Sequence, residues 1–163
     1  MKKIITFKRQ NDPLAPYVVR PITHDDIVSL LRLEREIYHG VLQWSKLTFE
    51  RELNNPGPHL YLLVEHHQEV IAFIGVRLQQ REAHITNLAV SPHYRHQGIA
   101  SALMCRAERY AKRHRCKTMT LEVRITNFVA KRFYRRRQYK TKRILHRYYI
   151  DNYEDGVVME KEL

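Results

Sequence analysis

Along the chain, apolar residues keep two rhythms, and the order in which they alternate predicts the order of the elements. Tyr17-Val18-Val19-Arg20 is a short β-branched run closed by Pro21. Ile27, Leu30, Leu31, Leu33 or Glu34, and Ile37 then keep helical period to about Tyr38. Thr23 or His24, followed by Asp25 and Asp26, marks its start, where acids complement the helix dipole. A second short helix fits Leu47 to Leu53, stopped by Asn54-Asn55-Pro56-Gly57-Pro58.

Three strand signals follow at Leu60 to Val64, Val70 to Val76 and Ala83 to Val90, the first two joined by a polar turn as a hairpin. Ile99, Ala102, Leu103, Ala107, Tyr110 and Ala111 mark one face of a helix, with charge on its other sides. After it the pattern predicts a strand at Thr118 to Val123, a helix from Asn127 to Arg137 and a strand at Ile144 to Ile150. A turn at Asp151 to Gly156 and a last strand at Val157 to Glu160 complete it. The fold class is therefore mixed α/β (α+β), antiparallel at both ends, with one βαβ crossover in the middle. The polar, proline-broken stretch to Pro16 reads as a lead-in, and residues 17–163 as a single domain.

Composition adds the scale of the problem. At 163 residues, 44% hydrophobic and 28% charged, with 5 Gly and 6 Pro, the chain is neither collagen-like nor disordered. No stretch nears the roughly 18 apolar residues of a membrane span, and the opening Met1-Lys2-Lys3-Ile4-Ile5 lacks a signal-peptide core, so the cytoplasm is expected and no membrane partner. Cys105 and Cys116 make no disulfide framework, and neither they nor the ten His fall at metal-ligand spacing, so no metal is expected.

The formal charge of +12, from 29 Lys+Arg against 17 Asp+Glu, calls for an anionic partner. Its position is more informative than its sum. Between Pro92 and Arg147 there are 17 Lys/Arg against only Glu108 and Glu122, a local +15, while the rest of the chain is slightly acidic.

That basic stretch opens at a strand-to-helix junction, Ser91-Pro92-His93-Tyr94-Arg95-His96-Gln97-Gly98-Ile99-Ala100-Ser101, of the form Arg-x-x-Gly-x-Ala. Unpaired N–H groups at a helix N-terminus suit a pyrophosphate, Gly98 allows close backbone approach, and Arg95 can add a charge-assisted hydrogen bond. It is neither a Walker loop nor a dinucleotide fingerprint. Taken alone, a glycine at a helix start is most often a tight turn.

The run from Ile85 to Ala100 resembles the central acetyl-CoA motif of the GCN5-related N-acetyltransferases, the GNAT superfamily. Leu121-Glu122-Val123-Arg124-Ile125-Thr126-Asn127, then Ala130 and Tyr134, then Arg147-Tyr148-Tyr149 and Glu154 to Met159 are similar to the ribosomal-protein alanine N-acetyltransferase (RimI-like) branch. Trp44-Ser45 with Phe49 and Glu52-Leu53 fits the same branch. The resemblance spans Tyr17 to Glu160. It implies a mixed central sheet of about six to seven strands, helices on both faces and a splayed parallel strand pair at the acetyl-CoA site.

It also implies roles. The backbone of Leu88, Ala89 and Val90 would take the acetyl and pantetheine portion of acetyl-CoA, and Arg95, His96, Gln97, Gly98, Ile99, Ala100 and Ser101 its pyrophosphate. Asn127 would contact the same cosubstrate, and as a residue before a helix it also reads as an N-cap. Glu122 would be the general base and Tyr134 the general acid, twelve residues apart. Without the motif, a Glu on a strand among so many bases reads as an ion pair. Trp44, Tyr148 and Tyr149 would shape the acceptor groove, although strand alternation should turn one of the two tyrosines away. No cysteine stands at a motif position beside a base, which favours direct attack in a ternary complex.

Three departures from the pattern stand out. His96 replaces a glycine after the arginine, Gln138-Tyr139 replaces Gly-Phe after the fourth helix, and Gly156 replaces an alanine. The expected acceptor is a protein N-terminal α-amine, with a small amine or a lysine side chain as the alternative. A remoter alternative is an RNA-binding protein with secondary catalysis. The positive surplus also leaves room for a transient ribosome or RNA contact through residues 92–147.

Overall fold

The computed structural model describes residues 12–40 and 42–163. Its elements in order are β1 (Val18–Pro21), α1 (Ile27–Ile37), α2 (Lys46–Leu53), β2 (His59–His66), β3 (Glu69–Gln79) and β4 (Glu82–Val90). They continue with α3 (Ile99–Arg113), β5 (Thr118–Arg124), α4 (Phe128–Arg136), β6 (Lys140–Tyr149) and β7 (Glu154–Glu162). Among the described residues the strands form one seven-stranded sheet in the order β1-β2-β3-β4-β5-β7-β6, in which only β4 and β5 run parallel. That single parallel pair follows from the connection, because a strand joined to the next by a long helix returns in the same direction.

Helices cover both faces. Ile99, Leu103, Met104, Ala107 and Ala111 of α3 pack with Tyr134 of α4 against Ala83, Ile85, Met119, Leu121, Val123, Val157 and Met159. On the other face Ile27, Leu30 and Leu33 of α1 and Phe49 of α2 pack against Tyr61, Leu63, Phe73 and Ala89. The start of α1 uses the expected residues: Asp26 accepts hydrogen bonds from the backbone N–H and the hydroxyl of Thr23, 2.7 and 3.0 Å, across a 3-10 turn at His24–Asp26.

Three boundaries differ from the sequence reading. The lead-in is packed from Asp12 on: Leu14 is 2% exposed in the α3-side core, and Asp12 meets Arg106 at 3.4 Å. Residues 1–11 of that stretch lie outside the described residues. β6 starts at Lys140 rather than Ile144, because Lys140 to Arg143 stand exposed on an outer strand and carry no apolar alternation. β7 begins at Glu154, so Glu154, Asp155 and Gly156, expected in the turn, belong to the strand.

The end of α4 answers one departure noted above. Gln138 takes φ +72°, its N–H donates to Arg135 C=O at 2.9 Å, and Tyr139 N–H donates to Tyr134 C=O at 3.0 Å. This is a Schellman cap with glutamine in the left-handed position, sealed by the buried Tyr139 ring against Tyr134, centroids 5.8 Å apart. Glutamine is strained there and glycine is not. Gln138→Gly is therefore expected to raise unfolding free energy by about 1 kcal/mol in chemical denaturation, with the fold unchanged by circular dichroism.

Candidate active site

The site is built around a short parallel pairing. β4 and β5 are in register only at Glu82 with Thr118, Ala83 with Met119 and His84 with Thr120, after which they diverge. The divergence coincides with a bulge. Against β3, Asn87 opposes Gly75 and Ile85 opposes Val76, leaving Thr86 as the extra residue. A Cβ on Gly75 would stand 2.4 Å from the Tyr61 ring and 2.5 Å from Thr86 Oγ1, so the bulge requires glycine opposite it.

Beyond the bulge, Ser91 N–H bonds back to Ile71 C=O at 2.8 Å, while Val90 C=O faces Arg95 Nε–H at 3.4 Å. Alternation along the strand then turns the backbone groups of Leu88 and Val90 into the opening, and those of Ala89 toward β3. The turn after β4 reaches α3 through two left-handed residues, His96 at φ +60° and Gly98 at φ +80°. His96 adopts the conformation a glycine would supply. The first helical hydrogen bond is Ala102 N–H to Gly98 C=O, 2.9 Å, so the N–H groups of Ile99, Ala100 and Ser101 precede the intrahelical ladder. Pro13 lies 3.0 Å from where a Cβ on Gly98 would be, and the Tyr17 hydroxyl donates to Gln97 Oε1 at 2.9 Å. The N-terminal segment thus walls one side of the turn, a contact the proline-broken sequence gave no reason to expect.

Glu122 lies on the α1 side of β5, and its Oε2 is 3.0 Å from His84 Nε2 across the last paired rung. His84 was not singled out from sequence. It is one of ten scattered histidines, and only the parallel register brings it to Glu122. Tyr134 is buried on α4, and its phenol is pushed above the ordinary tyrosine value by burial, then by nearby Tyr38 and Tyr149. It keeps its proton across neutral pH. The Asn127 side chain caps α4, its Oδ1 accepting from Ala130 N–H at 3.0 Å.

The acceptor side is held by a second buried carboxylate. Glu34, 0% exposed on α1, accepts from Trp44 N–H at 2.8 Å and from Asn87 Nδ2 at 3.0 Å, tying the α1–α2 loop to the bulge of β4. Burial pushes its carboxyl up against these donors. Its sequence signal is its place on the apolar stripe Ile27, Leu30, Glu34, Ile37. Trp44 is half-buried and stacks edgewise on Phe49, centroids 5.0 Å apart.

Neither of the paired tyrosines is turned away. Arg147 at φ +50° breaks the alternation of β6, its N–H held by Asp155 Oδ1 at 2.8 Å. Tyr148 covers Gly156, where an added Cβ would come within 3.0 Å of the ring, which explains the glycine in place of alanine. Tyr149 lies under the Arg124 guanidinium, 4.0 Å from the ring centroid, and 5.1 Å from Tyr148. Burial, offset by Arg124 and reinforced by Tyr148 and Glu122, pushes its phenol up to about 12. Cys116 is buried in the core, while Cys105 is exposed and approached by Arg137 at 3.4 Å. Among the described residues no group of three or more His, Cys, Asp or Glu could hold a metal, and no helix is long and apolar enough to cross a membrane.

With this geometry in place, comparison with known proteins defines the class. Residues 25–139 match the model of the Acetyltransferase (GNAT) family. The chain belongs to that family, and it is an acyltransferase of the N-acetyltransferase kind. It is 31% identical over 142 residues to a Bacillus subtilis (strain 168) protein provisionally named a ribosomal protein bS18-alanine N-acetyltransferase, covering 86% of this chain and 92% of that one. It is 30% identical over 118 residues to the ribosomal protein bS18-alanine N-acetyltransferase of Haemophilus ducreyi (strain 35000HP / ATCC 700724), covering 72% and 78%. Its fold superposes on the crystal structure of the ribosomal-protein-S18-alanine N-acetyltransferase from Escherichia coli with a TM-score of 0.78 at 24% identity, covering 90% and 93%.

Two outcomes follow from the carboxylates around the opening. Glu34→Ala leaves Trp44 N–H and the Asn87 amide without their acceptor and is expected to cost about 2 kcal/mol in urea unfolding. Glu154, bonded to the hydroxyl and N–H of Thr126 just before α4, is held down to about 2 from its ordinary 4.5, the Thr126 hydroxyl contributing most. Between those values the unfolded chain binds more protons than the folded one, so stability present above pH 4.5 falls as pH drops toward about 2. Unfolding curves of Glu154→Gln across that window are expected to lack this part of the decline.

Proposed function

We propose that this chain transfers acetyl from acetyl-CoA to the α-amino group of a protein N-terminus by direct attack in a ternary complex. The observation that carries the reading is the opening between β4 and β5, flanked by Glu122 immediately beyond the last paired rung and by the backbone of Leu88 and Val90. A family neighbour, the PaiA N-acetyltransferase from Thermoplasma acidophilum, was crystallised in complex with coenzyme A, and Arabidopsis thaliana NAA60 with acetyl-CoA. The residues here suit that ligand. Free N–H groups at the head of α3 fit a pyrophosphate, and Arg95 adds an exposed cation beside them. The N–H groups of Leu88 and Val90 are placed to bind a thioester oxygen as charge develops on it.

Each residue then has a limited task. An α-ammonium has a pKa of about 7.7 to 8.0, so near neutral pH only modest help is needed to free the amine. Glu122 takes the proton, directly or through one water. Tyr134, whose proton is retained across neutral pH, hydrogen-bonds the departing sulfur and returns a proton to it. Trp44, Tyr148 and Tyr149 line the acceptor side, and the names of the bacterial relatives support a protein N-terminus as acceptor. Cys116 is buried in the core and Cys105 is exposed on α3, which supports direct attack over an acyl-enzyme.

The test uses purified protein, acetyl-CoA and peptides with free N-termini. Glu122→Gln is expected to lower kcat about 10²-fold near neutral pH. An unchanged rate would remove Glu122 from the base role, and preference for free lysine or small amines over peptides would redirect the acceptor assignment.

A further inference from the structure

The far end of α3 carries positive charge that the cosubstrate cannot use. Arg113 stands fifteen residues past Gly98, about 22 Å along the helix axis, too far for a pyrophosphate at the head of α3. Arg109, Lys112, Arg113 and Arg115 are exposed, and among the described residues none is ion-paired with a carboxylate. Met1 to Asn11 contain no carboxylate side chain. The acids nearest in α3 and the lead-in are engaged, Asp12 by Arg106 at 3.4 Å and Glu108 by Arg137 and Lys161 at 3.3 and 3.0 Å. Lys112 and Arg113 lie in the last turn, where the helix dipole favours cations. Arg109 lies a turn earlier, at the i, i+4 spacing from Arg113 at which like charges destabilise a helix. Charge placed at that cost suits an anion from outside the chain.

Beside this row the surface is recessed. Between α3 and the edge pair β1–β2 lies a slot of about 140 Å³, with Val19, Pro21, Leu60 and Leu62 as its apolar lining and Arg106, Arg109 and Arg113 along the helix side. Tyr110 lines it too, its hydroxyl donating to His59 C=O at 2.9 Å and its ring centroid 4.2 Å from that of His114. A cavity of roughly 150 Å³ accepts one six-membered aromatic ring. The slot therefore suits a planar group whose negative charge stays outside it.

We infer that this flank of α3 binds single-stranded RNA, one base entering the slot while neighbouring phosphates meet Arg109 and Arg113. Unpaired bases stack on apolar and aromatic surfaces, and a guanidinium fork matches phosphate oxygens in pairs. A duplex keeps its bases inside, and an acidic peptide brings charge without a ring. A membrane surface calls for protruding apolar side chains, and among the described residues none of the exposed large hydrophobics lies on α3. The choice of RNA over DNA rests on the acetyl-transfer reading above, because protein N-termini are made at the ribosome.

Fluorescence anisotropy of the full chain with a labelled twelve-nucleotide oligouridylate tests the site without acetyl-CoA or peptide. Binding is expected, and Arg109→Ala with Arg113→Ala should weaken it about 10-fold at about 50 mM salt, the slope of log K against log salt becoming shallower by about 1.4, at about 0.7 per lost phosphate contact. An abasic ribose-phosphate strand of the same length should bind about 10-fold more weakly than oligouridylate, the loss of one stacked base. Peptide acetylation by the double variant should be unchanged. An equal loss of binding in Arg32→Ala with Arg51→Ala, which removes the same charge from α1 and α2, overturns the site. So does competition by duplex RNA, polyglutamate or phosphatidylserine vesicles that matches oligouridylate. An abasic strand that binds as tightly overturns the role of the slot, and tighter binding of oligothymidylate overturns the choice of RNA. Protein that binds oligouridylate as expected but acetylates no amine overturns the acetyl-transfer reading and leaves the binding face standing.

Discussion

Everything distinctive in this molecule follows from the brevity of one parallel pairing. β4 and β5 stay together only as far as His84 and Thr120, and beyond that the sheet is open at its centre. A bulge at Thr86 starts the divergence, and Gly75 leaves the space it needs. An open centre would ordinarily strand backbone groups away from water, at a cost of one or more kcal/mol each. Here the freed groups line a cleft, and a strand edge with nothing paired to it is a ready surface for an extended ligand. The fold supplies its binding edge internally.

The opening is kept rigid by charges set deeper than composition suggests. Glu34 has no solvent exposure and ties α1, the loop at Trp44 and Asn87 of the bulge into one unit. On the far side, Arg124 gathers Asp151, Glu154 and Asn152 and lies over Tyr149, so the β6–β7 hairpin and the start of α4 move with β5. The two walls are thus fixed by polar contacts, and the apolar cores on the two faces of the sheet reach the opening through Tyr134 and Ala89.

Much of this was legible in the chain. The order of elements, the strand–turn–helix at Arg95 to Ser101, and the positions of Glu122 and Tyr134 follow from periodicity and from motifs whose parts are close in sequence. What stayed hidden depends on contacts between distant segments. Leu14 is the one large apolar residue between two prolines, and only the tertiary fold buries it. His84 and Glu122 are separated by the whole of α3, so their approach is a matter of strand register. Tyr148 and Tyr149 follow Arg147, whose left-handed backbone breaks the strand alternation just before them. His96 and Gln138 hold left-handed turns that composition would assign to glycine, and at Gln138 neighbouring backbone hydrogen bonds hold the turn.

The outer strand gives the positive surplus a second meaning. β6 is ten residues long, exposed along nearly its whole length, and among the described residues pairs with β7 alone. An edge strand of that length is a template on which another chain could add a strand, and flat apolar edges aggregate for that reason. Lys140, Lys142, Arg143 and Arg147 stand along it, and the irregularity at Arg147 bends its far end. Like charges on two such edges repel when they meet. Part of the excess that seemed to ask for an anionic partner thus opposes the pairing of two such edges, a repulsion that salt screens.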